Sequence, residues 1–366
     1  MTMKLEAVKA EEGDCLLLHY GKAEAPALSL IDGGPPGVYA KYLKPRLAEL
    51  RSGLASDSEP LPLELVMVSH IDSDHIAGVL NLLSDVETAR NDKDDEPYEV
   101  GRLWHNSFKQ LTGAGEDSAK AAEKQSMDEV PKAAAVVASF GQGEDTSALA
   151  TELGIPRNEQ SKDGQLVLDG AKRTLPGGLK LTVIGPTAEA VENLREKWAD
   201  AMDVEAGRLV PAAVQETVYN LSSLIVVAEF DGRRILLTGD GVAEDILAGL
   251  ERHGFLDDGS AHFGIFKLPH HGDIGNVSKE LFEKVTADHY VASGNGKNRN
   301  PELETLRLLA AARGDDKYDI WLTYSHGKEG LDENLKTFEK EQKEAKRKST
   351  VHYPEDDATS MTIEIE

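Results

Sequence analysis

Four side chains able to bind a metal ion, His70, Asp72, Asp74 and His75, fall within six consecutive positions of this chain. They follow closely on the apolar run Leu65-Val66-Met67-Val68. A strand that ends in such a burst is poor core material, because buried carboxylates and imidazoles need partners and a divalent cation is the strongest available. In an extended or tightly turning backbone, His70 and Asp72 point the same way. Asp74 and His75 follow on the next turn and can face a second ion. Two cations joined by an oxygen activate water against an ester or phosphodiester. A polar loop capping a strand is the bland alternative, and other parts of the chain weigh against it by supplying further ligands.

Those ligands fall in a pattern. Asp32, His105, Asp240 and His270-His271 each lie at the C-terminal end of an apolar stretch, as the 70–75 burst does. Of the eleven histidines, five (His70, His75, His105, His270 and His271) lie at such ends. Strand ends converging on one sheet edge would form a single site.

The elements that must position these residues are legible from period and punctuation. Residues 5–8 and 15–20 read as a hairpin, 27–31 as a third strand broken by Asp32-Gly33-Gly34-Pro35, and 39–50 as a helix. A strand at 63–68 leads through the burst into a helix at about 76–83; the acidic patch 91–96 reads as a loop and 100–104 as a strand. Residues 108–165, rich in Ala, Glu, Lys, Gly and Ser, read as an inserted helical cap or flap, helical over 118–137 with a break at Pro131. Strands at 179–184, 221–230, 234–238 and 263–268 and helices at 189–202 and 244–253 follow. A highly charged helix over 336–348, within about 330–350, reads as a solvated face, and 359–365 alternates as a strand that could close a sheet edge. The expectation is one α/β domain spanning 1–366.

Composition narrows the function classes. A formal charge of −25 argues against broad binding to nucleic acid or anionic membrane, though not against a nucleic-acid substrate held locally. No run approaches a membrane span, and the first residues lack a secretory signal's apolar core. The single cysteine, Cys15, forms no intrachain disulfide and reads as a small buried hydrophobe, which fits a cytoplasmic setting.

Taken in order, Ile31-Asp32-Gly33-Gly34, Ser-His-Ile-Asp-Ser-Asp-His-Ile-Ala-Gly at 69–78, Leu-Leu-Thr-Gly-Asp at 236–240 and Lys-Leu-Pro-His-His-Gly at 267–272 resemble the metallo-β-lactamase-fold hydrolases. The chain is most similar to the branch containing the hydrolase domain of bacterial DNA-uptake competence proteins. That branch also shows counterparts of Asn220-Leu221-Ser222-Ser223-Leu224 and of Gly-Asp-Cys-Leu-Leu-Leu at 13–18. The resemblance covers most of the chain, with 108–165 and the charged C-terminal helix as additions. It implies a four-layer αβ/βα sandwich with one or two metals where the strands end.

Residue by residue, the resemblance makes His70 a ligand of the first metal, with His105 as its third-motif ligand. Asp72 stands where many relatives have histidine, and this harder donor shifts preference from Zn²⁺ toward Mn²⁺ or Fe. Asp74 and His75 would bind the second metal, with Asp74 also orienting the attacking water. Asp240 would bridge the two ions. His271 is expected as the last ligand, with His270 as its alternative, and Asp32 as hydrogen-bond partner of a ligand histidine. Lys267, Asn295 and Lys297, with Ser278, Asn298 and Arg299, are candidate substrate contacts, and His326 a candidate proton donor. The expected activity is metal-assisted hydrolysis of a phosphodiester, as a phosphodiesterase or nuclease. The alternatives are hydrolysis of a small ester, lactone, thioester or β-lactam, and a non-catalytic metal-binding regulatory module. A protein partner or homo-oligomer is plausible from the acidic balance and the helical insert.

Overall fold

The computed structural model describes residues 2–56, 58–112, 131–159, 166–203, 208–209, 222–355 and 357–365. The chain opens as a meander of β1 (Lys4–Val8), β2 (Leu16–Lys22) and β3 (Ala25–Ile31). A π-helical turn at Tyr39–Leu43 runs into α1 (Lys44–Arg51). Next come β4 (Leu61–Leu63), β5 (Leu65–Met67), α2 (Ser73–Asp92), β6 (Tyr98–Val100) and β7 (Leu103–Trp104). Two helices follow, α3 (Phe108–Thr112) and α4 (Pro131–Glu152). The second half begins with β8 (Lys172–Thr174), β9 (Lys180–Gly185), α5 (Ala188–Ala201) and the short ribbon of β10 (Met202–Asp203) and β11 (Arg208–Leu209). It continues with β12 (Ile225–Phe230), β13 (Arg233–Leu237), α6 (Ala243–Arg252), β14 (Ala261–Lys267), α7 (Lys279–Lys284) and β15 (Val285–Ala292). The last elements are α8 (Leu303–Arg313), β16 (Asp319–Leu322), α9 (Leu331–Glu344), β17 (Thr350–His352) and β18 (Ser360–Glu364).

The strands form two large mixed sheets, a six-stranded one in the order β18-β1-β2-β3-β5-β7 and an eight-stranded one in the order β17-β16-β15-β14-β13-β12-β9-β8. β3, β5 and β7 run parallel, as do β13 through β17. Strand alternation decides which residues face which layer. Leu16 and Leu18 of β2 share a core with Leu237, Ile265 and Val291 of the other sheet. Leu17, between them, faces the opposite way and packs with Val66 and with Ile76, Val79, Leu82 and Leu83 of α2. On the far side of the larger sheet, Leu236, Phe266 and Ile320 pack with residues of α6, α7, α8 and α9. The protein is thus a mixed α/β structure whose sheets share one core and carry helices on their other faces.

Several boundaries differ from the sequence expectation. The strand at 63–68 divides into β4, which pairs with β6 in a two-stranded ribbon, and β5 in the main sheet. Pro62, with no N–H for a central ladder, lies in the ribbon. Helix α2 starts at Ser73 rather than at 76 and continues to Asp92, so Asp74 and His75 stand in its first turn and the acidic patch begins inside it. Helix α9 begins at Leu331, and Leu331, Leu335 and Phe338 are buried, so one face is core and only the other is solvated. β18 pairs with β1 along its length and forms the edge of its sheet. Pro131 is the first described residue of α4, and Leu149, Ala150 and Leu153 join the core beneath α2. The expected helical stretch at 118–130 lies outside the described residues.

Candidate metal centre

Helix α2 sets the geometry. Its apolar positions Ile76, Val79, Leu82, Leu83 and Val86 form one buried stripe against the six-stranded sheet. Its first turns press onto the backbone that leaves β3: Gly33 N–H donates to the His75 carbonyl at 2.7 Å and Gly78 N–H to the Gly34 carbonyl at 3.1 Å. A Cβ at Gly78 would stand 2.0 Å from the Gly33 oxygen, so this approach requires glycine. Asp72 occupies the N-cap position with extended backbone, yet its side chain makes no capping bond. Its carboxylate instead lies 3.6 Å from His70 Nε2, forgoing a cap of about 1 kcal/mol.

Strand ends deliver the other groups. Asp32 follows β3, His70 follows β5, Asp240 follows β13, and His270-His271 follow β14. Asp240 is central and buried. Its Oδ1 lies 3.4 Å from His75 Nε2 and 3.7 Å from His271 Nε2, while its Oδ2 lies 3.5 Å from both His70 Nε2 and His270 Nε2. Asp74 reaches in from α2, 3.9 Å from His75 Nε2 and 3.7 Å from His271 Nε2. His270 and His271 both take left-handed backbone conformations, with φ of 47° and 56°. Such residues cost roughly 1–3 kcal/mol each and persist only where the surroundings hold them.

A second set of contacts fixes how the rings present themselves. Asp32 accepts from Ser69 N–H through Oδ1, and from Ser69 Oγ–H and His75 Nδ1 through Oδ2 at 2.7 and 2.9 Å. With its one proton given to Asp32, Ser69 Oγ is an acceptor for His70 Nδ1 at 3.1 Å. Asp14 lies behind His271, its Oδ1 3.3 Å from Nδ1 and its Oδ2 2.6 Å from Lys267 Nζ. In each case Nδ1 faces an acceptor and Nε2 faces Asp240.

The electrostatics follow. Burial by itself would raise the Asp240 carboxyl, but four surrounding imidazoles, His270 foremost, hold it well below the usual range. Asp74 is likewise held down to about 2, the penalty of burial being outweighed by His75 and His271. Burial would lower His271, but Asp14 and Asp240 raise it to about 9. His75 is raised well above the ordinary value by Asp240, Asp74 and Asp32 against the opposing effect of burial.

These residues fit a divalent cation. Nε2 of His70, His75 and His271 and Oδ1 of Asp240 are buried without a hydrogen-bond partner. The Nε2–carboxylate separations, 3.4 Å from His75 and 3.7 Å from His271 to Oδ1 and 3.5 Å from His70 to Oδ2, exceed a hydrogen bond but are close to the edge of a tetrahedron around an ion with bonds of about 2.1 Å, roughly 3.4 Å. Asp14, His75, Asp240 and His271 bring ligand atoms within 4.8 Å of one another, as do His70, Asp74 and His75. Asp14 lies behind His271: its Oδ2 pairs with Lys267, and its Oδ1 is 3.3 Å from His271 Nδ1, the ring nitrogen opposite the one that faces Asp240.

The structure therefore brings together His70, Asp72, Asp74, His75, Asp240, His270 and His271, with Asp32 behind. His105 stands apart: it joins neither ligand group, its Nε2 lies 3.0 Å from the Gly143 carbonyl of α4, and burial lowers it to about 4. Lys267, expected to contact substrate, is instead buried in an ion pair. It is 1% exposed and committed to Asp14 and to the Leu268 carbonyl, because a buried ammonium needs both. Asn295 donates to Glu11 at 2.8 Å, and Lys297 pairs with Glu12. Ser278 caps α7, and Arg299 lies 3.6 Å from Glu302. His326 is exposed, its Nδ1 3.1 Å from Ser325 Oγ, and belongs to neither ligand group. Ser223 Oγ accepts from Asp240 N–H at 3.2 Å, while Asn220 and Leu221 lie outside the described residues.

One residue behind the cluster, Asp14, escaped sequence reading. Asp14 precedes the start of β2, and because β2 is antiparallel to β3 with Leu16 opposite Ile31, that start lies at the same edge as Asp32. Attention to C-terminal strand ends alone overlooks it; the antiparallel partner of each such end was the missing signal.

No protein-family model matches the chain, and no curated protein matches it. Among solved structures, one similar chain is the crystal structure of a protein of unknown function from Enterococcus faecalis V583. It aligns with a TM-score of 0.32 at 10% identity, over 97% of this chain and 88% of that one.

Proposed function

We propose that this protein is a metal-dependent hydrolase with a four-layer metallo-β-lactamase-type sandwich, taking two divalent cations and acting on a phosphodiester. The carrying observation is Asp240, whose two carboxylate oxygens face different pairs of imidazole nitrogens at 3.4–3.7 Å inside a buried site. A self-sufficient hydrogen-bonded network has no use for buried, unpartnered ring nitrogens on both sides of one carboxylate. The packing of helices on the outer faces of two sheets that share a core also supports this reading.

On this reading His75, Asp74, Asp240 and His271 hold one cation, and His70, Asp72 and Asp240 hold the other. Bound divalent ions would supply Lewis acidity and make a hydroxide nucleophile available near neutral pH. Asp74, whose side chain is 30% exposed, reaches from the buried cluster toward solvent. Its ionised carboxylate would accept a hydrogen bond from the attacking water and fix its direction. Asp32, Ser69 and Asp14 act on the substrate only through the rings they hold.

A second reading, hydrolysis of an uncharged ester or lactone, is favoured by one observation. Lys267 and Lys297, the candidate cations for a polyanion, are committed to Asp14 and Glu12. The test uses metal-stripped protein reloaded with Mn²⁺ or Zn²⁺. It is offered bis-p-nitrophenyl phosphate, single- and double-stranded DNA and RNA, beside a lactone and a chromogenic cephalosporin. Metal-dependent phosphodiester cleavage that an Asp74→Ala, His75→Ala variant lacks is the expected result. Turnover confined to the lactone or cephalosporin favours the second reading, and ion binding with no turnover of any substrate leaves a non-catalytic metal module.

A further inference from the structure

We infer that His270, held by Asn276, completes the first cation pocket, and that His105 takes no part in it. The inference rests on the two-cation reading above and names the fourth donor of one pocket. His270 Nε2 lies 3.5 Å from Asp240 Oδ2, the same distance as His70 Nε2 from that oxygen. The left-handed pair at His270 and His271 divides the two neighbouring rings between the two oxygens of one carboxylate.

Asn276 dictates which nitrogen His270 presents. Its Nδ2 lies 2.8 Å from the Asp240 carbonyl and 3.2 Å from the Gly241 carbonyl, both pure acceptors, so the amide nitrogen must face them. Its Oδ1 therefore faces His270 Nδ1, at 2.9 Å, and can only accept. His270 Nδ1 carries the proton, and in the neutral ring the Nε2 lone pair is turned toward Asp240 Oδ2. Outer-nitrogen anchoring by a hydrogen bond is likewise supplied to His75 by Asp32 and to His70 by Ser69, while the outer nitrogen of His271 lies 3.3 Å from Asp14 Oδ1. His105 is built the other way, with Nε2 on the Gly143 carbonyl. Asn276 is a positioning residue, since it acts only through the ring it holds and through the backbone that carries Asp240.

The experiment measures ion stoichiometry and affinity by equilibrium dialysis with Mn²⁺, and the visible spectrum with Co²⁺, on the full chain. Folding of each variant is checked by circular dichroism. Wild type and His105→Ala are expected to bind two ions, and His270→Ala one. Asn276→Leu should weaken one of the two ions about 10- to 100-fold. Asn276→Asp loses both donations to the carbonyls but keeps an oxygen opposite Nδ1. It should retain the ion more nearly than Asn276→Leu and keep the wild-type Co²⁺ spectrum, whereas a merely structural role makes the two variants equally poor. Two ions retained by His270→Ala, or one lost by His105→Ala, would overturn the inference while leaving the hydrolase reading intact. Wild type binding no ion would overturn both, and the expected stoichiometry without turnover would sink the hydrolase reading alone.

Discussion

Replacing Lys267 with Met separates a structural ion pair from a substrate contact. Lys267 Nζ and Asp14 Oδ2 are 2.6 Å apart, and each side chain is 1% exposed. Met fills the same space without charge, leaving the Asp14 carboxylate buried beside His271 alone. Removing one partner of a buried pair costs about 3–5 kcal/mol, chiefly through the uncompensated charge left behind. Because His271 Nδ1 remains 3.3 Å from the other oxygen, the loss should fall near the lower end, about 3 kcal/mol. The assay is urea unfolding followed by tryptophan fluorescence, in chelator so that bound ions do not contribute. The sign with pH is also determined. Lys267 and His271 hold Asp14 below its ordinary range despite its burial. Its contribution is therefore complete above the unfolded carboxylate value of about 3.9 and lost as pH falls through the lower folded one. The gap between wild type and Lys267→Met should narrow on acidification. Asp14→Asn added to Lys267→Met should restore much of the loss. A Lys267→Met protein within about 0.5 kcal/mol of wild type, with only its KM altered, would refute the ion-pair reasoning and return Lys267 to the substrate.

Three further outcomes are expected. Gly78→Ala should destabilise the protein by roughly 3 kcal/mol, at the upper end of overpacking effects, because its Cβ meets backbone rather than a movable side chain; urea midpoints would test this. Metal-free protein should lose stability between pH about 6.5 and about 9, since His271 is raised by Asp14 and Asp240, and its contribution is complete below the first value and lost through the second; thermal melts in chelator across that range would show it. Asp32→Asn should lower ion affinity about 10- to 100-fold while leaving the ligand atoms in place, because an amide cannot accept from Ser69 N–H, Ser69 Oγ–H and His75 Nδ1 together; dialysis against Mn²⁺ measures it.

What the sequence disclosed depended on the range of the interaction. The apolar runs at 15–20, 221–230 and 234–238 and the turn at Asp231-Gly232 carry their own signals, and the strands, at Leu16–Lys22, Ile225–Phe230 and Arg233–Leu237, lie close to where the pattern puts them. The start of α2 was misplaced because Asp72 takes the N-cap position while its carboxylate serves His70, so the usual start signal was present and read as chemistry. The convergence of Asp32, His70, Asp240 and His270-His271 was legible because parallel strands bring their C-terminal ends to one edge. The fate of Lys267 was not, since its partner Asp14 lies just before a strand of the other sheet, far away along the chain. The separate placements of His270 and His271 were also hidden, because consecutive residues on extended backbone point to opposite sides, whereas the left-handed pair brings both rings to Asp240.

The way the ligands are divided between the sheets has a mechanical consequence. Asp72, Asp74, His70 and His75 belong to the end of the six-stranded sheet, while Asp240, His270 and His271 belong to the eight-stranded one. On the proposed reading, an ion seated among them would be a rivet through the seam where the two sheets meet, not fully gripped by either side alone. Pulling the halves apart must strip coordination bonds before it exposes the shared core. Ion uptake should therefore slow unfolding more than it speeds folding, and ion release would report the moment at which the seam opens.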